Sequence, residues 1–358
     1  MNYESIILHM LSKLERERTV NSVYHILRGK RSAQTIQDIH LFNLQQFYGI
    51  YPNLNLKNYE EWITRFKQNH WINENDNMFT LTDEGHIFVE KQLMNKPLKF
   101  DGLKFHRKDQ LFLKTLQLLC QTVSNLIYDN HQFIPIVDSL PIQQKVKKMI
   151  RKYRENRPEL YEGLFIDLYT IFNELSEEPI DYLARQLTSA NQIGLSKQQI
   201  AELENSTDHD IHFVTIHLIH QMLSIVEQNK GKYPFLEQLI DTEQSRTLTH
   251  SASITERLLN QRKTIEDISR IRRLKVSTIE DHIVEIATQN QHFSIRPFVD
   301  ERLEKEIIAR LNEANTARLK IIKDMLPDTV TYFQIRLVLT KWSLFSNEQG
   351  GREDEFIR

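Results

Sequence analysis

Apolar residues return at intervals of three and four along almost the whole chain. Ile6, Ile7, Met10, Leu11 and Leu14 set the pattern, and Phe112, Leu116, Leu119, Val123 and Leu126 repeat it. Only a helix of 3.6 residues per turn gathers such positions on one face. Breakers are scarce, with nine glycines and nine prolines in 358 residues, so the chain reads as mainly α and long enough for about two to three cores. The exception is WINENDNMFTL (71–81), which reads as two short strands and a polar turn, followed by TDEG, where Thr82 is placed to cap a helix.

Three segments and a tail emerge. Residues 1–95 carry helices through Ile6–Leu14, VNSVYHIL, TIQDIHLFNLQQFY and NYEEWITRFKQNH before the hairpin, and predict a winged-helix-like domain with one small β-hairpin. Residues 96–250 form a helical middle, entered through a linker from Lys96 to Gly102. Residues 251–345 predict a C-terminal helix-turn-helix domain, and the polar stretch 346–358 reads as a flexible tail.

Several functions are disfavoured. Cys120, the one cysteine, lies in an apolar helical run, which predicts an inert thiol, no disulfide and no cysteine-based zinc cage, in keeping with a reducing cytosol. The amino-terminal residues lack a signal-peptide pattern and no apolar run approaches the roughly 20 residues of a membrane span, so a cytoplasmic protein without membrane contact is expected. Phosphate-loop, dinucleotide-binding and GxSxG motifs are absent, which predicts no catalytic residues and no cofactor. His209 and His212 are three apart, as are His217 and His220, but the two pairs diverge around the helix and no HExxH accompanies them. Ordinary helix histidines, without a metal, are expected.

With a net charge of −2, affinity for a polyanion has to come from local clusters. QQKVKKMIRKYRENRP turns Val146, Met149, Ile150 and Tyr153 to one side, while Lys145, Lys147, Lys148, Arg151, Lys152, Arg154 and Arg157 crowd the rest. Such a face would bind phosphate in a salt-dependent, sequence-independent way; the alternative is a solvated face paired with acids elsewhere. Near the C-terminus, Thr264 and Asp267 predict a capped helix with Ile265, Ile268 and Ile271 inward. Ser277 and Glu280 then suggest a capping box opening a helix with Ile279, Ile283 and Ile286 buried. Arg270, Arg272, Arg273 and Lys275 precede that helix and suit phosphates. Glu280 and Asp281 suit the positive end of its dipole, worth about 0.3–1 kcal/mol each. Together with Glu285 they make direct base reading by this helix weak.

ITERLLNQRKTIEDISRIRRLKVSTIEDHIVEIA, followed by FVDERLEKEIIARL, LKIIKDMLPDTVTYFQIRLVL and Trp342, resembles the helicase helix-turn-helix domain at the C-terminus of some RecQ helicases. The likeness extends over about 90 residues and places the family pattern on Ser277, Thr278, His282, Tyr332, Gln334, Ile335 and Arg336. More diffusely, HILRGKRSAQTI, FYGI, a Trp-bearing helix and the hairpin resemble the winged-helix part of the RecQ C-terminal region, which implies phosphate contacts at Arg28, Lys30 and Arg31. The hairpin tip, NENDN, lacks an aromatic wedge, so strand separation there is not expected. The resemblance implies a non-enzymatic, DNA-binding partner of a RecQ-type helicase in DNA repair or recombination. A protein adaptor without DNA contact is the alternative, and a transcription regulator ranks below both.

Overall fold

A computed structural model describes residues 2–75, 78–93, 98–175, 178–240, 248–290, 292–314, 316 and 318–348. Among them the chain is mainly helical, with nineteen α-helices, one 3-10 turn and one two-stranded antiparallel sheet. None of these helices is long and apolar enough to cross a membrane. The chain divides into two compact units, each discontinuous in sequence. The first comprises Met1–Leu8, Gln46–Pro52 and Ile87–Glu243, and the second His9–Gln45, Asn53–His86 and Gln244–Arg358.

The first unit is built around the helices Lys108–Ile127, Arg157–Glu174 and Asp208–Gln228. The predicted stripe of Phe112, Leu116, Leu119 and Val123 is buried, meeting Leu160, Leu164, Leu218 and Met222 in one core. Burial pushes the Cys120 thiol up to about 12, which keeps it protonated. Asp167 accepts hydrogen bonds from the backbone amides of Phe235 and Leu236 at 2.8 and 3.0 Å, seating the short helix Pro234–Glu237.

Of the expected linker, residues 98–102 are instead a docked strap, and the histidines of the long helix explain why. His217 Nδ1 meets the backbone of Lys99 at 2.9 Å, and His220 Nδ1 accepts from the Asp101 amide at 2.9 Å. Where the strap turns into helix Gly102–Phe105, a Cβ on Gly102 would lie 2.5 and 2.6 Å from the carbonyl oxygens of Tyr48 and Gln46, so only glycine fits. His209 and His212 bind the segment before Pro52. His209 Nδ1 lies 2.9 Å from the Tyr51 hydroxyl, and His212 Nε2 lies 2.8 Å from the Ile50 carbonyl while its ring stacks on Tyr51. The four histidines are thus packing groups that satisfy neighbouring chain. No cluster of histidine, cysteine and carboxylates suited to a metal occurs among the described residues.

In the second unit, Ile72–Asn75 pairs with Met78–Leu81, Ile72 opposite Leu81; the tip residues Asp76 and Asn77 lie outside the described residues. Thr82 accepts from the Gly85 amide at 3.1 Å as its spacing predicts. The helix expected from Thr35 to Tyr48 ends at Leu41, because Asn43 adopts a left-handed conformation. Helix Ala33–Leu41 packs against both Val276–Gln289 and Tyr332–Glu348. Of the expected tail, residues 346–348 are the end of helix Tyr332–Glu348, and 349–358 lie outside the described residues.

Buried histidines set a pH response. Burial, with a smaller contribution from nearby Lys13, holds His9 down to about 4, and burial alone holds His40 there. Burial and then the Lys197 ammonium, 2.7 Å from its Nδ1, keep His212 well below the ordinary value. Each folded pKa lies below the unfolded one, so the unfolded chain takes up protons first and stability falls as pH drops from about 6.5 towards 4. At pH 5.5 the loss is about 1 kcal/mol per histidine. Thermal unfolding at pH 7.5 and 5.5 is expected to show a lower midpoint at 5.5; an unchanged or higher midpoint contradicts these histidines being neutral.

Candidate nucleic-acid interface

Three helices make the C-terminal motif: His250–Asn260, Ile265–Arg272 and Val276–Gln289. Thr264 caps the second by accepting from the Asp267 amide at 3.2 Å, as its spacing predicts. Arg273, with φ of 54°, ends it, and the Leu274 amide closes the turn onto the Ser269 carbonyl at 3.1 Å. The third helix therefore starts at Val276 with Lys275 as its cap residue, earlier than Ser277 would place it, and the expected Ser277–Glu280 capping box does not form. Ile268, Ile279, Ile283 and Ile286 are buried, but Ile271 is 54% exposed rather than inward.

The acids of the third helix are engaged. Asp281 accepts from the Arg336 guanidinium at 2.6 Å. Glu285 accepts from both the backbone amide and the hydroxyl of Thr249, the residue capping helix His250–Asn260. Burial raises the Glu285 pKa, offset by those bonds and by nearby Arg31. Glu280 is half-buried, and burial raises its pKa while Arg336 lowers it. Acids on the motif's third helix thus tie it to its neighbours. Gln334 has a similar structural task, with its amide donating to the Phe298 carbonyl at 3.0 Å, and Ile335 is core.

Two predicted DNA contacts are corrected by the same geometry. Arg272 turns inward and donates to the Ser251 carbonyl and hydroxyl, each at 2.8 Å, and to the Thr255 hydroxyl, with His282 Nδ1 at 3.2 Å. His282 is buried and also meets the Thr255 hydroxyl at 3.0 Å; burial and then Arg272 lower its pKa. Such side chains cross-link three helices and do not reach a phosphate. Arg270, Arg273, Lys275 and Ser277 are exposed and Thr278 is half-buried at the helix start. Arg270 pairs with Asp267 at 3.5 Å, but its side chain is 80% exposed, where such a pair is weak.

The other clusters divide. Arg28, Lys30 and Arg31 are exposed around Gly29; Arg28 donates to the Tyr24 hydroxyl at 3.0 Å and Lys30 approaches His25. Helix Leu140–Lys152 buries Val146 and Met149 as predicted. Lys145 donates to the Leu239 carbonyl at 2.8 Å and Lys152 to Gln238 at 3.2 Å. Lys147, Lys148, Arg151 and Arg154 are exposed, with no ion pair among the described residues.

Residues 251–339 match a family model described as a helix-turn-helix domain. The helix-turn-helix domain so delimited holds Arg270, Arg273 and Lys275. Over 347 residues the chain is 27% identical to Protein YpbB of Bacillus subtilis (strain 168), covering 95% of this chain and 98% of that protein. The chain thus resembles YpbB along almost its whole length. No solved structure matches. Sequence spacing did not disclose the inward turn of Arg272 and His282, since their acceptors, Ser251 and Thr255, lie on another helix.

Proposed function

We propose that this chain is a non-enzymatic DNA-binding accessory protein that partners a RecQ-type helicase in DNA repair or recombination. The observation that carries the DNA-binding part is the helix-turn-helix turn: Arg270, Arg273 and Lys275 point outward, while Asp281 and Glu285 are taken up by Arg336 and Thr249. A turn of this charge grips phosphates without naming bases. Exposed Lys147, Lys148, Arg151 and Arg154 supply a second set of contacts on the same chain, which raises the effective concentration of either site once the other is bound. The resemblance of the stretches from Ile254 to Trp342 to the helicase helix-turn-helix domain at the C-terminus of some RecQ helicases supports the helicase partnership.

An adaptor without DNA contact is favoured by one feature, the exposed apolar pair Ile271 and Val276 beside those cations. A pull-down with the RecQ-type helicase, with and without nuclease, tests the partnership. Capture that survives nuclease is expected; no capture in either condition would remove the helicase from the proposal.

A further inference from the structure

The basic turn of Arg28, Lys30 and Arg31 belongs to the same compact unit as the helix-turn-helix motif, although the whole middle segment separates them in sequence. Ser32 caps helix Ala33–Leu41 by accepting from the Thr35 amide at 3.2 Å, so the turn ends where that helix begins. The helix packs on Val276–Gln289, with Leu41 against the core that holds Ile279 and Ile283. Its head therefore lies beside the motif. Glu285, whose pKa is pushed up by burial, is drawn back by Thr249 and then by Arg31, which makes no ion pair among the described residues.

Glu285 shares one side of Val276–Gln289 with Thr278 and Asp281, seven and four residues before it, and that side faces away from the buried Ile279, Ile283 and Ile286. Arg273 and Lys275 stand exposed at the start of the same helix. Ten residues from Lys275 to Glu285 give a rise of about 15 Å. One basic set thus lies at each end of a single helix. Between them Asp281 is held by Arg336 at 2.6 Å. Around the first turn three cations face one carboxylate, and His25, lowered by burial and then by Lys30 and Arg28, feels that excess. A major groove about 12 Å wide has a phosphate chain on each wall, so cations about 15 Å apart reach both walls at once.

We propose that Arg28, Lys30 and Arg31 at one end of helix Val276–Gln289, and Arg270, Arg273 and Lys275 at the other, form one interface that straddles the major groove of a single duplex, each set holding the phosphates of one strand. The inference rests on the DNA-binding reading above and adds to it the form of the partner, a duplex rather than a single strand, and the joint use of both ends of the chain. The helix between the sets lies over the groove without naming bases.

Fluorescence anisotropy of the full chain with a labelled duplex of roughly 10 base pairs, about one helical turn, over a range of salt tests the interface. K30A/R31A is expected to weaken binding about tenfold near 0.1 M salt and to lower the slope of log affinity against log salt by about 2; combined with R270E/R273E/K275E, the loss of slope should reach about 5. Such addition marks one binding event, because with separate sites removal of the weaker set leaves the tighter site untouched. Lys30 and Arg31 are exposed, so thermal unfolding of K30A/R31A should match the parent. A single strand of equal length has no second wall and is expected to bind at least about fivefold more weakly. An unchanged slope in K30A/R31A, with the charge-reversal variant still impaired, overturns the joint interface and leaves the DNA-binding reading standing, as does equal affinity for the single strand. A parent chain that binds no DNA overturns both.

Discussion

Arg272→Ala is expected to destabilise the second unit by about 2–4 kcal/mol, the range for removing a charged donor that serves several partly buried acceptors. The guanidinium spans from Ser251 and Thr255 to His282, so its loss leaves the Ser251 carbonyl, two hydroxyls and a buried ring nitrogen to find other partners. Lysine should restore little, because one ammonium cannot occupy the forked positions of two guanidinium nitrogens. Arg273→Ala, one residue on, is expected to change stability by less than about 0.5 kcal/mol, as an exposed side chain does. Denaturant unfolding separates the two. Equal, small effects would show that Arg272 is not a cross-link.

Charge reversal of the outward set, R270E/R273E/K275E, should have the opposite signature. Duplex affinity is expected to fall on the order of 100-fold near 0.1 M salt, with the slope of log affinity against log salt reduced by about 3. Stability should hardly move, since Arg270, Arg273 and Lys275 are exposed and the ion pair of Arg270 with Asp267 lies at the surface. Helicase capture should persist if the helicase meets another surface. Reversal therefore distinguishes a DNA-binding protein from an adaptor, whose absent DNA affinity cannot change.

Helical periodicity made the fold class legible. The stripe through Phe112, Leu116 and Leu119, and the buried Ile279, Ile283 and Ile286, follow from spacing alone, because one helix face decides burial. Thr264 and Thr82 cap as their local sequence predicts, since a cap involves neighbours only three residues away. Spacing fails where the partner is distant. Arg272 and Arg273 are adjacent in sequence, yet one is bound by Ser251 and Thr255 while the other faces water. Asp281 reads by spacing as an acid that repels phosphate, but its partner Arg336 lies 55 residues away on the last helix. The lysines and arginines after Lys145 kept the exposure that their pattern suggested, because their apolar face, through Val146 and Met149, fixes which side turns outward.

The claim beneath the account is that DNA is held by charge at a few outward clusters. Its most direct test is the salt dependence of duplex affinity, measured by fluorescence anisotropy from about 0.05 to 0.2 M salt on two unrelated sequences. The account predicts binding that weakens steeply with salt and equally for both duplexes, and a shallower slope for R270E/R273E/K275E. Affinity that ignores salt, prefers one sequence strongly, or is absent at the lowest salt even with the helicase present would contradict it.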